Sequence, residues 1–285
     1  MLGLAAAAGL AMSACGGAAA PAPMGTKVAS AGNDLVLGGG PVARPPLAVP
    51  GERMLYRVSI HGFELAEFSI AVGERVTLDG AEVVVVQSAA RTTRVAAMLK
   101  PVEDVFTSWI RTRDGRSLRF VSSERASRDD DRKEVTEARL GVGTVGLRVQ
   151  RGDDPPLDEE QVIAGHGGFD LNSFLVFLRG WEAEPGARVD ADVVRSRYVW
   201  RVQMEVVGYE NLSTALGNLP AVRYDGEGVR MARDGTTDTA SDRRRFSIWL
   251  SDDADRVPVR LVARTDYGDI EMALVAYEPG DTTGR

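Results

Sequence analysis

The feature that most constrains this chain is the recurrence of apolar side chains at every second position from residue 51 onward. Residues 54–60 and 64–72 both alternate in this way, and Gly62 lies between them as a turn residue. A period of two puts the apolar side chains of a strand on one face. The two segments therefore predict a β-hairpin with one buried face.

The same rhythm continues to the end of the chain, with turn signals between the segments. Asp79-Gly80 is a turn dipeptide, and residues 82–86 form a β-branched run suited to a strand buried on both faces. Further strand-like segments follow at residues 105–111, 118–123, 134–140, 145–149, 198–206, 222–224, 246–251, 257–264 and 270–277. Such short, regularly spaced strands predict an all-β domain, which is a sandwich, a roll or a barrel.

One short helix is expected within this all-β pattern, over residues 169–181. Asp170 is a plausible N-cap and Gly180 stands where a helix would end. The apolar positions at helical spacing are Leu171, Phe174, Leu175, Leu178 and Trp181. The stripe predicts a helix of about three turns that packs on the sheet or plugs its open end; a lid over a ligand cavity is the alternative interpretation.

The amino-terminal segment resembles a bacterial lipoprotein signal peptide. Residues 1–15 are apolar and uncharged, and they are too few to span a bilayer as a helix, which needs roughly 20. They end in Met12-Ser13-Ala14-Cys15, which resembles a lipobox. The resemblance implies cleavage before Cys15 and lipidation of that residue, and several acyl chains together give a stable anchor. The segment departs from the pattern because no Lys or Arg precedes the apolar stretch.

Composition divides the rest of the chain into two parts. Residues 16–50 are rich in Ala, Gly and Pro, which is typical of a flexible tether, and residues 51–280 form the β domain. Gly16 follows Cys15, so the Asp that retains lipoproteins at the inner membrane is absent. By family resemblance, we expect a lipid-anchored protein at the outer membrane that faces the periplasm.

Net charge and cysteine content limit which partners, metals and disulfides the chain can have. The net charge of −7 argues against nucleic acid and against docking on anionic lipid through a basic patch. The Arg243-Arg244-Arg245 cluster lies among acidic residues and is interpreted as a solvated loop. One cysteine and two histidines allow neither an internal disulfide nor a cysteine-based zinc site. We therefore expect no metal and no cofactor.

No motif in the sequence specifies a reaction, and no catalytic residue is assigned. His166 lies in a glycine-rich stretch like the oxyanion loop of some esterases, but the Gly-x-Ser-x-Gly elbow that this chemistry needs is missing. His61 is placed at a hairpin turn. No Walker loop, dinucleotide fingerprint or Cys-x-x-Cys occurs.

Acidic clusters offer weaker signals. Residues 129–131 and 234–238 hold oxygen ligands that calcium could use, without the spacing of a known calcium loop. Asp252 and Asp253 follow Trp249 and could line a sugar site. We interpret all of them first as turns and solvated loops.

Three stretches resemble the DUF3108 family of bacterial exported proteins of unknown function. They are residues 51–59, with Gly62 and Ala66-Glu67 after them, residues 170–179, and residues 248–259. The resemblance implies an envelope location and an all-β fold with one short helix. This fold is a mostly antiparallel curled sheet that forms an open barrel or a β-roll, related in style to lipoprotein-carrier proteins. It provides no catalytic residues.

The leading functional hypothesis is a non-enzymatic envelope lipoprotein whose β domain binds an apolar or glycan ligand or another envelope component. The candidate ligand-lining residues are Tyr56, Phe68, Trp109, Phe174, Trp200 and Trp249. One alternative is a polysaccharide or cell-wall hydrolase that uses Asp and Glu carboxylates. The other is a structural scaffold of an envelope assembly, which would present a contiguous apolar patch.

Overall fold

A computed structural model describes residues 34–36, 47–97, 102–125, 133–163 and 168–281. The predicted signal peptide with Cys15, the acidic run 129–131 and His166 lie outside these residues, as does most of the predicted tether. The elements are β1 (Asp34–Val36), β2 (Arg53–Ile60), β3 (Phe63–Leu78), β4 (Ala81–Thr92), α1 (Arg94–Ala97), β5 (Glu103–Arg111), β6 (Ser117–Arg125), β7 (Lys133–Leu140), β8 (Thr144–Arg151), β9 (Leu157–Val162), β10 (Phe169–Asp170), α2 (Leu171–Gly180), β11 (Arg188–Arg195), β12 (Tyr198–Thr214), β13 (Gly217–Arg230), β14 (Arg244–Ser251), β15 (Pro258–Thr265) and β16 (Gly268–Glu278).

The predicted all-β class and the antiparallel curled sheet are confirmed. One sheet runs in the order β1-β11-β12-β13-β14-β15-β16-β2-β3-β4-β5-β6-β7-β8-β9, and β10 also pairs with β11. β1 and β10 lie parallel to β11, whereas the other pairs are antiparallel, including β16 with β2. Within the described residues β9 and β11 form no ladder with each other, so the sheet is an open barrel.

Tight turns of the predicted kind connect the strands. In the β2–β3 hairpin, His61 and Gly62 have φ values of 49° and 80°. Asp79 and Gly80 have φ values of 49° and 79° between β3 and β4. Positive φ at both central residues is the geometry that matches the twist of the flanking strands. The local turn chemistry thus sets the register next to each turn, and bulges shift it further along both hairpins.

Helix α2 confirms the predicted helix and fills the interior of the curl. The Asp170 side chain caps its N-terminus by accepting a hydrogen bond from the backbone N–H of Ser173 at 2.9 Å. The Ser173 hydroxyl oxygen accepts one from the backbone N–H of Asp170. Phe174 and Leu178 pack against the core formed with β11–β14, and Val176 packs against the core formed with β2–β4. The structure also contains α1, a single turn that the sequence pattern did not indicate.

A buried ion pair holds the C-terminal end of α2. Arg179 donates to both carboxylate oxygens of Glu52, at 2.8 and 2.6 Å, and the two side chains are 4% and 1% exposed. Arg179 also donates to the carbonyl oxygen of Asp255 at 2.9 Å, and the Tyr277 hydroxyl donates to Glu52 at 3.1 Å. A cation at the C-terminus of a helix is favoured by the helix dipole. These contacts fix the helix to the start of β2 and to the β14–β15 connection.

Three apolar clusters fill the described interior. The first lies mainly among β2–β4, β16 and α2 and also includes Trp249 of β14, and the second lies between α2 and β11–β14. The third joins Phe106 and Phe120 of β5 and β6 to Val194 and Val199 of β11 and β12. Because this cluster takes residues from both ends of the sheet, apolar packing across the gap replaces the missing ladder.

The start and the end of the β domain lie side by side. The backbone N–H of Asp281 donates to the carbonyl oxygen of Pro50 at 2.9 Å. A Cβ atom on Gly280 would lie 2.6 Å from the same oxygen, so glycine permits this close approach. The adjacent pairing of β16 with β2, with Glu278 opposite Arg53, continues the contact into the sheet.

Candidate functional site

The six aromatic residues proposed from the sequence are spread over the molecule. Tyr56 and Phe68 lie in the first core cluster with ring centroids 6.0 Å apart. Phe174 and Trp200 are buried in the second cluster. These four side chains are packed against other apolar residues of the interior. Their role in ligand binding stays a prediction.

Of the other two proposed residues, Trp109 lies nearer to solvent, whereas Trp249 is buried and belongs to the first core cluster. Trp109 is half-buried on β5, and the guanidinium carbon of Arg119 lies 4.8 Å from the centroid of its ring. Trp249 on β14 is 7% exposed and stands in the wall of a groove of about 1080 Å³. Of the six, Trp249 is the one that the structure associates with this groove.

The groove lies on the face of β11–β16 opposite to α2, and we call it the trough. The parity of the strands explains its chemistry. On β12–β14 the even positions Met204, Tyr224 and Ile248 face the second core cluster, so the odd positions face outward; on β15 it is the even positions that line the trough. The outward side chains that define the trough are Glu205, Arg223, Asp225, Ser247, Trp249 and Arg260. The trough is therefore the polar side of strands whose other side is core.

One cross-strand row runs over the middle of the trough. The register places Arg188 opposite Glu205, Glu205 opposite Asp225, and Asp225 opposite Ser247. Side chains that are directly opposite on one face lie roughly 5 Å apart at Cβ. The row therefore brings two carboxylates, Glu205 and Asp225, together between an arginine and a hydroxyl.

A second row places an indole between two guanidinium groups. Trp249 pairs with Arg223 on one side and with Arg260 on the other. The guanidinium carbons lie 5.3 and 5.1 Å from the ring centroid, within cation–π range. The indole N–H donates to the carboxylate of Glu210. These neighbours hold the ring in place and leave little of it exposed.

Each carboxylate in the middle row is neutralised by an arginine. Burial disfavours ionisation of Asp225, but hydrogen bonds from Arg223, at 2.8 and 3.1 Å, and from Ser247, at 2.6 Å, outweigh it and lower its pKa. Glu205 accepts from the Nε of Arg188 at 2.9 Å. The carboxylate of Asp225 is therefore held in its charged form, as a hydrogen-bond acceptor.

The charges that line the trough balance. The arginines are Arg188, Arg223, Arg245, Arg260 and Arg264, and the carboxylates are Asp190, Glu205, Asp225, Glu227 and Asp269. Opposite charges lie interspersed across the strands, so the surface has no large field of one sign. It can exchange hydrogen bonds with a ligand through both donors and acceptors.

The carboxyl groups with raised pKa values lie elsewhere. Burial, with the nearby carboxylate of Glu124, raises the pKa of Asp104 on β5 to about 7. Burial also raises the pKa of Asp170 at the N-cap of α2, against hydrogen bonds from serine side chains. Both residues are at most 1% exposed. Neither is placed to protonate a ligand in the trough.

The acidic residues singled out near Trp249 form a turn. The Oδ1 atom of Asp253 accepts from the Ser251 hydroxyl at 2.8 Å and from the backbone N–H groups of Asp255 and Arg256 at 3.0 and 2.9 Å. Asp234 similarly accepts from the backbone N–H of Thr236 at 3.0 Å. Within the described residues no three His, Cys, Asp or Glu side chains are grouped as metal ligands.

His61 remains at the β2–β3 turn, as the sequence placed it. Its Nε2 atom lies 2.9 Å from the carbonyl oxygen of Tyr267, at the neighbouring β15–β16 turn. Gly268 contacts the imidazole ring so closely that a Cβ atom there would lie 2.4 Å from Nε2. The imidazole therefore bridges two hairpins.

Sequence reasoning missed the polar residues of the trough. The alternation that identified β12 and β13 also marks Glu205, Arg223 and Asp225 as outward-facing, which is the signal that was available. Which outward residues become neighbours depends on strand order and register. The order and the register of the strands cannot be read from the individual segments.

None of the helices in the described part of the chain is long and apolar enough to cross a bilayer. No curated protein matches the chain.

Solved structures of similar fold exist. A "beta-barrel-like protein of domain of unknown function DUF1849" from Brucella abortus superimposes with a TM-score of 0.52 at 13% identity, over 82% of this chain and 99% of that one. A "putative exported protein with YmcC-like fold" from Bacteroides fragilis gives a TM-score of 0.39 at 10% identity, over 81% of this chain and 96% of that one. A "putative lipoprotein" from Parabacteroides distasonis gives 0.38 at 8% identity, with the same coverage of both chains. At these identities the likeness concerns the fold alone, and the first structure agrees with the open barrel.

The family model for a protein of unknown function, DUF3108, matches residues 55–275. This range extends from β2 to β16 and takes in α2 and the trough. The resemblance drawn from three stretches of the sequence is thereby confirmed, and the chain belongs to the DUF3108 family.

Proposed function

We propose that this protein is a non-enzymatic lipoprotein of the cell envelope that binds a glycan in the trough. The observation that carries the proposal is the contrast between the two sides of β11–β16. Their inner side is packed with α2, and their outer side is a charge-balanced groove of about 1080 Å³. The place for a ligand is thus the polar groove.

An apolar ligand is less favoured by this arrangement. The aromatic side chains that could have lined an internal cavity, such as Phe68 and Phe174, are packed in the core clusters. In the trough, an apolar ligand would take the Arg223–Asp225 and Arg188–Glu205 pairs out of water without replacing their hydration. A ligand rich in hydroxyl groups can replace the hydration of these ion pairs.

Hydroxyl groups of a sugar suit the polar atoms of the trough. Guanidinium N–H groups are donors only, ionised carboxylates are acceptors only, and Gln203 and Ser247 can do both. Because Arg223 and Arg260 flank the ring of Trp249, the sugar would be held by hydrogen bonds at the ring edge more than by stacking on its face.

The glycan proposal is tested with the full chain and defined envelope glycans. Isothermal titration calorimetry against soluble peptidoglycan fragments and lipopolysaccharide core oligosaccharides should reveal binding to at least one class. Asp225→Asn and Glu205→Gln should each weaken that binding at least about tenfold, which corresponds to about 1.4 kcal/mol. The matched control is Glu103→Gln, which changes an exposed carboxylate paired with Arg91 on β4, away from the trough.

Two results would overturn the glycan proposal. One is the absence of binding to every glycan tested. The other is wild-type affinity in both trough variants. Mass analysis of lipids retained by the purified chain, if it found a stoichiometric lipid, would favour an apolar ligand instead.

The anchoring part of the proposal has its own test. A Cys15→Ser variant should lose incorporation of labelled fatty acid and should move from the membrane fraction to the soluble fraction. Protease protection in intact cells should place the β domain on the periplasmic side of the outer membrane. Unchanged membrane association of the variant would contradict anchoring through Cys15.

The hydrolase alternative is supported by the pairing of Glu205 with Asp225 across two strands. A glycosidase needs one carboxyl group with a raised pKa to act as the acid. The pKa of Asp225 is lowered, and the group is tied to Arg223 and Ser247. This environment favours binding of a glycan over acid catalysis of its cleavage. Release of reducing sugar from a bound glycan, if Glu205→Gln abolished it, would favour the hydrolase instead.

A further inference from the structure

The row of side chains in the middle of the trough continues beyond the trough. Ser247, its last polar member there, pairs with Val262 on β15. Val262 pairs with Glu271 on β16, and Glu271 pairs with Ser59 on β2. These strands are neighbours in the sheet. One row of paired positions therefore crosses seven strands, from β11 to β2.

The added part of the row faces the same side of the sheet as the trough. Met272 of β16 and Val58 of β2 lie in the first core cluster, so Glu271 and Ser59, one position away, face outward. The carboxylate of Glu271 lies 2.7 Å from the Nε atom of Arg260, which is a residue of the trough. This ion pair joins the added part of the row to the trough.

A second groove, of about 490 Å³, lies over this end of the row, and we call it the side groove. Ser59 and Glu271 line it, together with His61 of the β2–β3 turn. Two further lining residues, Arg260 and Val262, also line the trough. Because the two grooves share these residues, they are contiguous on the outer face of the sheet.

The side groove offers hydroxyl groups the same kinds of partner as the trough does. The Glu271 carboxylate is an acceptor, and the Ser59 hydroxyl can donate and accept. The Nε2 atom of His61 lies 2.9 Å from the carbonyl oxygen of Tyr267. Because a carbonyl oxygen only accepts, Nε2 carries the proton, and Nδ1 of the neutral ring is then an acceptor. Val262, at the junction, provides an apolar contact for the C–H face of a sugar ring.

The length of the row distinguishes a chain of sugars from a single sugar. Neighbouring strands lie about 4.8 Å apart, so the six spacings from β11 to β2 extend over roughly 29 Å along the sheet. A single sugar would contact only a small part of this row. A linear chain of several sugars that crosses the strands would contact polar side chains along the whole row.

We propose that the trough and the side groove form one extended site for a linear oligosaccharide, which lies across the strands from β11 to β2 and ends in the side groove beside His61. This inference rests on the glycan proposal. It adds the length of the ligand, its direction on the sheet and a second subsite.

Isothermal titration calorimetry of the full chain with peptidoglycan glycan strands of two, four, six and eight sugars tests the extended site. Affinity should rise at least about tenfold between two and six sugars, because the longer strands reach the polar side chains of the side groove as well as those of the trough. That gain corresponds to about 1.4 kcal/mol.

Variants of the side groove separate its contribution from that of the trough. Glu271→Gln should weaken the binding of six-sugar strands about tenfold, and Ser59→Ala about threefold, as expected for loss of a hydrogen bond to a charged and to a neutral group. Neither variant should change the binding of two-sugar strands by more than about twofold. Asp225→Asn should weaken the binding of every length. Glu103→Gln, which changes an exposed carboxylate paired with Arg91, is again the control.

Two results would overturn the extended site and leave the trough proposal standing. In the first, six-sugar strands bind no more tightly than two-sugar strands. In the second, Glu271→Gln and Ser59→Ala both bind six-sugar strands with wild-type affinity. Absence of binding to strands of every length would also overturn the extended site. The trough proposal would then survive only if lipopolysaccharide core oligosaccharides bound and Asp225→Asn weakened their binding.

Discussion

The Arg179–Glu52 pair and the Arg188–Glu205 pair join the same two chemical groups in opposite environments. The first is 4% and 1% exposed at the end of α2, and the second is 60% and 42% exposed in the trough. Breaking a buried pair leaves a charge without hydration, whereas breaking an exposed pair lets water replace the partner. Charged residues of one type therefore stabilise the fold where they are buried and remain in contact with water where they are exposed.

The largest effect is expected when the buried pair loses one member. Arg179→Ala leaves the Glu52 carboxylate buried without its guanidinium partner, so the free energy of unfolding should fall by about 3–5 kcal/mol. Chemical denaturation followed by tryptophan fluorescence measures the change. A control that replaces both residues, Arg179→Met with Glu52→Leu, should recover most of the loss. Equal losses in Arg179→Ala and Arg188→Ala would remove the distinction between the two pairs.

The next largest loss of stability is expected on the inner face of β13, one of the strands of the trough. A Cβ atom on Gly226 would lie 2.5 Å from the ring of Phe246 and 3.0 Å from Met204, both in the core. Gly226→Ala should therefore destabilise the protein by about 1–3 kcal/mol through overpacking. Thermal unfolding measures this. The additional variant Phe246→Leu, made with Gly226→Ala, should restore part of the loss, and a neutral Gly226→Ala would show that the core under the trough is loosely packed.

A smaller loss of stability is expected at the N-terminal end of α2. Asp170→Ala removes the side chain that accepts from the Ser173 N–H, and loss of such a cap costs about 1 kcal/mol. Asp170→Asn retains a capping oxygen and is the matched control. Because burial raises the pKa of Asp170, the folded state loses stability as the pH rises above the ordinary value for aspartate. Stability measured against pH should fall less steeply in the Asn variant.

The smallest effect is expected in the exposed row of the trough. Arg188→Ala should change the free energy of unfolding by less than about 1 kcal/mol, and the change should shrink with added salt. Denaturation at low and high salt measures both. A loss comparable with that of Arg179→Ala would mean that the trough pairs hold the sheet together and are not free to exchange partners with a ligand.

The sequence predicted the local part of the fold well, because period-two alternation and positive-φ turns are local signals. β2, β3 and the capped helix α2 follow from their own residues. β11 was missed although Asp190 and Asp192 alternate with apolar residues, because aspartate is uncommon in strands. Half of β9 is acidic, at Asp158, Glu159 and Glu160.

The candidate site was less accessible to prediction from sequence. The aromatic residues singled out became core, as Tyr56 and Phe68 did, because burial of large apolar area outweighs other uses of such side chains. Glu205 and Asp225 face each other within one hairpin, that of β12 and β13, but the register of this hairpin shifts between Val206 and Gly208. A bulge of this kind changes which side chains become neighbours, and its position is not readable from the alternation of the strands.

The contact between Pro50 and Asp281 means that polypeptide enters and leaves the β domain at one pole. A short linker could connect these two points, and new termini could then be opened at the solvent-exposed turn around Asp79-Gly80. A circular permutant of this kind would keep every strand neighbour of the sheet while changing which turn of the domain carries the chain ends. The side of the domain from which the trough is presented could thus be changed without altering a single trough residue.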